Sequence, residues 1–228
     1  MSRLHSLLPL VALVTALGAS AATYDAAVDW NPPNNPNGTW SYRSGSTPLP
    51  YQPSVVPLGG AGGYAPSPAW EYFLPLFWSA GGGADIYVHS YDPGNGKSAT
   101  GEAALVWTSP INGKIDISGY LYYAQDQLQR SNDINLSLGG NSLLVATVAY
   151  DQHQDFANRL PLSFSQLEVA AGEQLVLTFI RSPGQPYGTV TAFNVDIVAT
   201  AVPEPATGLL MVGGLGLLWG LGRRRSAI

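Results

Sequence analysis

Cysteine is absent from all 228 residues, and only 3 histidines and 2 methionines occur. Without a thiol the chain can form neither disulfide staples nor a thiolate site, so its stability must come from core packing or bound ions. Charge is sparse as well. Only 11% of residues are charged, with 10 Lys+Arg against 15 Asp+Glu. Arg3, Arg223, Arg224, Arg225 and Glu204 lie near the two ends, which leaves the body with 6 basic and 14 acidic residues, a net charge of −8. An acidic body without a basic patch argues against DNA, RNA or an anionic lipid surface as a partner. The familiar catalytic spacings are missing too: there is no G-x-S-x-G elbow, zincin histidine pair, Walker loop or strand-linked Rossmann glycine pattern. The run GGAGG at residues 59–63 lacks the lysine and the following helix of a phosphate loop.

What is present is concentrated first at the ends. Arg3 precedes an apolar run over residues 7–17 and the small-x-small site Ala19-Ser20-Ala21. This reads as a signal peptide over residues 1–21, with the mature chain starting at Ala22; the apolar run is too short to span a bilayer. At the other end, residues 206–222 carry no charge and are rich in leucine and glycine. At about 1.5 Å per residue, roughly 17 helical residues reach about 25 Å, at the short end of what crosses a hydrocarbon core of about 30 Å. The glycines suit a membrane helix better than a water-exposed one, and Trp219 suits the interface. Arg223, Arg224 and Arg225 would stop transfer and remain on the inner side, which orients the body outward.

Just before this span stands Val202-Pro203-Glu204-Pro205. Two prolines around a glutamate make a stiff, extended segment, a poor helix start but accessible to an enzyme that reads extended chain. The order Pro-Glu-Pro, glycine-rich short span and terminal arginine cluster resembles the PEP-CTERM sorting signal of Gram-negative bacteria. That resemblance covers residues 202–228. It implies that Pro203, Glu204 and Pro205 are recognised by an exosortase, a membrane-embedded transpeptidase-like enzyme. It further implies that the protein passes through the inner membrane, meets signal peptidase, and ends at the cell surface or in the extracellular matrix of a biofilm.

Between the signals, residues 22–201 suffice for one well-buried domain. Residues 22–83 are rich in proline and glycine, which excludes long helices and leaves short strands such as 40–43 and 70–77. Trp30, Trp40, Tyr42, Tyr64 and Phe77 are too apolar for a solvated linker, so this region must pack on the rest. From residue 84 onward the pattern is regular: Ile86 and Val88, 104–107, 115–121, 134–138, 143–148, 160–164, 175–179 and 193–197 alternate or run apolar at strand length. Gly139-Gly140-Asn141 signals a hairpin turn. These features specify an all-β fold, an antiparallel β-sandwich of jelly-roll kind.

Three constellations carry candidate chemistry. On the strand 114–123 the odd positions are apolar, so Asp116, Ser118, Tyr120 and Tyr122 point the other way. Two tyrosines near an acid and a hydroxyl could stack on sugar rings while polar groups bond their hydroxyls; alternatively an N-terminal strand or loop covers them. Asp151, His153 and Asp155 would share one side of an extended chain and could hold a divalent cation, or form a solvated loop. Glycosidic hydrolysis needs two carboxylates about 5 to 10 Å apart with separated pKa values, and among Asp116, Asp126, Asp133 and Asp196 no spacing selects a pair. No cofactor is implied, and a structural calcium held by loop carboxylates and carbonyls is left unassigned.

The run from Val88 to Leu121, with SLGGNSLLVATVAY, LSFSQLEVAAGEQLVLTFIRS and a closing FNVDIV strand, is similar to the β-sandwich bodies of many PEP-CTERM proteins, which in turn resemble jelly-roll carbohydrate-binding modules. That likeness implies a noncatalytic matrix protein with exopolysaccharide as a partner. The alternative it leaves open is a polysaccharide lyase or hydrolase on the same fold.

Overall fold

The computed structural model describes residues 20–55, 58–59, 61–69, 74–79, 85–91, 102–125 and 128–202. The apolar run of the expected signal peptide, Pro203, Glu204, Pro205, the apolar tail and Arg223, Arg224 and Arg225 lie outside the described residues. Among the described residues no helix is long and apolar enough to cross a membrane.

The compact unit over residues 21–201 is nearly all β. Its strands are β1 (Ala21–Asp25), β2 (Trp40–Ser44), β3 (Thr47–Pro48), β4 (Tyr51–Gln52), β5 (Gly63–Tyr64), β6 (Leu76–Ser79), β7 (Ile86–His89), β8 (Ala103–Thr108), β9 (Gly113–Tyr123), β10 (Ser131–Leu138), β11 (Asn141–Ala149), β12 (Leu160–Val169), β13 (Gln174–Arg181) and β14 (Val190–Ala201). One sheet, here sheet A, runs β12-β9-β14-β7-β6-β5-β4, with β1 also paired to β14; sheet B runs β11-β10-β13-β8-β2-β3. Their pairings are antiparallel. From β7 onward the chain changes sheets at every connection except the β10–β11 hairpin, whose turn is Gly139-Gly140.

Period-two alternation explains the core. Ile86, Val88, Ile115, Ile117, Leu121 and Phe193 from sheet A meet Trp40, Tyr42, Leu105, Trp107, Ile134 and Phe179 from sheet B in one cluster. Phe179 bridges the sheets: its ring lies 5.0 Å from Phe193 and 6.3 Å from Phe77. Each such fully buried side chain contributes about 1.5–3 kcal/mol of transfer free energy. The proline-rich region supplies β1 to β6, and its Trp30 stands edge-on to Tyr42 at 4.8 Å and Tyr64 at 5.0 Å. Region 70–77 departs from its expected strand: β6 starts only at Leu76, and residues 70–73 are outside the described residues. Four short strands carry no period in the sequence: β3 to β5 have two residues each, and β1 buries none of its five.

Polar groups join the two layers as well. Asn132 on β10 is fully buried; its amide donates to the Thr189 carbonyl and Thr191 Oγ1, both at 3.0 Å, and accepts from Ser90 Oγ at 2.7 Å. Every member has a partner, the condition under which a buried polar network can be tolerated.

The longest ladder is β9 on β14, in register from Tyr123↔Thr191 to Gly113↔Ala201. Gly119 sits in its middle with φ +147°, and a Cβ there would run into the Asn194 carbonyl. A substitution therefore combines a disfavoured backbone region with a backbone clash. Gly119→Ala is expected to destabilise the protein by about 3 kcal/mol or more, read as a lowered denaturant midpoint with unchanged slope.

Candidate functional site: an aromatic face on sheet A

The alternation along β9 is as the residues dictate: Ile115, Ile117 and Leu121 are buried, while Asp116, Ser118, Tyr120 and Tyr122 occupy the outer face. The four do not act together. The Asp116 carboxylate accepts from the Gln166 backbone N–H at 2.7 Å, on the neighbouring strand β12. Gln166 has φ +57° and lies where the β9–β12 register shifts between Phe164 and Leu167. Asp116 therefore holds a bulge in an edge strand, a use that strand spacing alone could not reveal. Ser118 is exposed, between Ser163 of β12 and Asp196 of β14.

The tyrosines do form a platform. Tyr120 and Tyr122 stack with centroids 6.3 Å apart, and their hydroxyls donate to the two oxygens of one carboxylate, Asp85, at 2.8 and 2.9 Å. Burial first, and then the hydrogen bond to Asp85, push both phenols well above their ordinary range. They stay neutral donors at any physiological pH. Register extends the platform across the sheet, because Tyr122, Ala192, Tyr87 and Trp78 fall in one row over β9, β14, β7 and β6. Tyr87 and Trp78 stack at 5.4 Å. Ala192, buried in the middle of the row, is small enough for the flanking rings to lean over it.

Neither tyrosine is bare: among the described residues both have a cover. It comes from a single 3-10 turn over Phe156–Asn158, whose N-cap Asp155 accepts from Asn158 N at 3.0 Å. Phe156 stands edge-on to Tyr120 at 5.0 Å and Tyr122 at 6.0 Å, remains 49% exposed, and carries the Arg159 guanidinium 4.2 Å above its ring. Beside this cover opens a cleft of about 500 Å3 lined by Tyr87, Tyr122, Tyr123 and Tyr150 together with Gln125, Gln154 and Asp155. Phe156 was not singled out from sequence, since one aromatic in the polar stretch 151–159 has no periodicity to mark it.

The expected cation ligands are placed otherwise. Asp155 is spent on the cap, His153 Nδ1 lies 2.8 Å from the Asn158 carbonyl, and Asp151 is exposed in a turn. Among the described residues no group of three or more His, Asp or Glu side chains is placed to hold a metal ion.

One pair of carboxylates does come together. Asp25 and Asp196 are direct register partners on β1 and β14. Burial, followed by a hydrogen bond to and repulsion from Asp25, raises the Asp196 pKa from 3.8 to about 6. Asp25 also accepts from Ala27 N, Val28 N and Asn194 Nδ2. Carboxyls in direct hydrogen-bond contact leave no room for a glycosidic bond between them, unlike the spaced acid and base of a glycosidase.

No family model matches the chain, and no curated protein matches it. Solved structures similar to it include the C-terminal CBM6 of LamC, a marine laminarinase from Zobellia galactanivorans, at 10% identity and TM-score 0.30, covering 78% of this chain and 98% of the other. The CBM35 from Paenibacillus barcinonensis gives 10% identity and TM-score 0.33, covering 79% and 98%. CsCBM6-3 from Clostridium stercorarium, solved with cellobiose, gives 16% identity and TM-score 0.27 over 55% and 79%. At this level of similarity, function has to be argued from the chain's own residues.

The Asp196 shift has a defined sign. A folded pKa of about 6 above the ordinary 3.8 means the native state binds the proton first, so stability rises as pH falls from about 6 to about 4 and is lowest above 6. Asp196→Asn supplies a permanent donor to Asp25. It is expected to raise the melting temperature at pH 7.5 and to flatten its dependence between pH 4 and 6, measured by thermal unfolding across that range.

Proposed function

We propose that this chain is an exported, noncatalytic component of a bacterial surface or extracellular matrix, and that it binds polysaccharide at the cleft beside Phe156. The observation that carries the binding reading is the meeting of four tyrosine side chains with two amides and a carboxylate in about 500 Å3. Rings give the apolar faces of sugars a surface to stack on, and amide and carboxylate groups bond the hydroxyls around their rims. The phenols anchored on Asp85 are preorganised, so little side-chain entropy is lost on binding. Catalysis is disfavoured because the carboxyl with a raised pKa is paired to Asp25 and lies outside the cleft lining.

Tyr150→Ala is expected to weaken retention by about tenfold in affinity electrophoresis through gels cast with host exopolysaccharide, the loss of one stacking ring from the cleft lining. Gln154→Ala should weaken it less, and Thr178→Ala on sheet B not at all. Equal retention of all three would remove the cleft from consideration.

Export and sorting rest on the terminal motifs. Signal peptidase is proposed to cut after Ala21, and an exosortase to act at Pro203, Glu204 and Pro205 after the tail has engaged the inner membrane. Intact mass of protein from surface and medium fractions of the host should lack both ends. Replacing Pro203, Glu204 and Pro205 by alanine should retain the tail and hold the protein in the inner membrane. A tail present in both forms would make it an ordinary anchor.

A further inference from the structure

The strands at the margins of the two sheets are not equally protected. A sheet edge presents unpaired N–H and C=O groups, and proteins blunt such edges with shortness, proline, charge or bulges. Strands β3 and β4 are two residues long, and β3 ends in Pro48. Strand β1, open on one side, has five residues and carries Asp25. Strand β12 is long, but it contains Pro161, Glu168 and the Gln166 bulge. Strand β11, NSLLVATVA, has nine residues with no charge and no proline. Its one irregularity is at Leu143, and from Leu144 to Ala149 its register on β10 is unbroken. At the midpoint of the strand stands Val145, which at 76% is the most exposed large hydrophobic residue among those described.

We infer that β11 is a self-association edge, and that its occupant is β11 of a second copy of this chain, paired antiparallel about a two-fold axis through Val145. The strand is complementary to itself in that register: Val145 meets Val145 and Leu144 meets Ala146, with the bulge at Leu143 coming opposite Thr147 on either side. No like charges come opposite one another, and two β-branched side chains pack at the centre. The Asp133 carboxylate on the neighbouring strand β10 accepts from the hydroxyls of Thr147 and Ser182 at 3.0 and 2.7 Å. Pairing would join two copies of sheet B into one continuous sheet, leaving the aromatic face of sheet A on each copy free.

Because the natural chain has no cysteine, any disulfide between copies must pass through an introduced one. The full chain in detergent micelles, carrying Val145→Cys, should give on the order of tenfold more cross-linked dimer under mild oxidation than Ser163→Cys on the outer face of β12. Asn141→Cys should not cross-link with itself, since the two-fold sets the two copies of residue 141 at opposite ends of the shared ladder. Retained far-UV circular dichroism establishes that each variant is folded. Equal cross-linking at 145 and 163, or a folded Val145→Cys protein that stays monomeric, would overturn the inference.

Discussion

The β9–β14 ladder is the constraint on which the outer face depends. It is the longest register among the described strands, and it lies inside sheet A with β12 on one side and β7 and β1 on the other, so it sets both which residues face the core and how far the flanking strands are offset. At Gly119 the two backbones approach too closely for any side chain. A one-residue slip would turn Ile115, Ile117 and Leu121 outward and drive Tyr120 and Tyr122 into the core, exchanging a filled interior for buried hydroxyls without partners. The arrangement of rings on the surface is thus fixed from beneath, by burial of the alternate residues.

Given that ladder, the aromatic face follows from two local facts. Ala192 occupies the position between Tyr87 and Tyr122, where a larger residue would separate them. Asp85 stands just before β7 and satisfies both tyrosine hydroxyls with one carboxylate, which holds the rings tilted toward each other. Phe156 then packs its edge on both rings. The face is therefore a layered cluster with an open flank, the cleft bounded by Tyr150 and Gln154 at which polysaccharide binding is proposed.

What could be read from sequence divides along a physical line. Strands β9, β10 and β13 announce themselves because each buries one face, so apolar residues recur at every second position, and β8 does so as a short apolar run buried on both faces. The outward direction of Tyr120 and Tyr122 came from the same rule. The destination of Asp116 did not, because its partner is an N–H fifty residues away whose availability depends on a bulge at Gln166. Nor did the pairing of Asp25 with Asp196, which needs the register of a five-residue first strand on the last one. Phe156 escaped for a third reason: a lone aromatic in a polar turn carries no pattern, and only the cap by Asp155 aims it at the platform. Alternation reports burial, whereas sites are assembled by contacts between elements, and those leave no period in the chain.

The first and last strands also constrain how the ends can be processed. Ala21 pairs with Thr200 and Asp25 with Asp196, so both ends of the domain leave from adjacent positions on one ladder. The proposed cut after Ala21 would remove only the outermost pair and keep the interior of β1 from Ala22 to Asp25. The inner end of that short strand is fastened by the Asn194 amide, which donates to Asp25, while Asp29 accepts from both Asp25 N and Trp40 Nε1. Attachment of β1 is thus concentrated at its polar end. Trimming at its other end therefore costs the fold little, which is the property a chain processed next to its first strand requires.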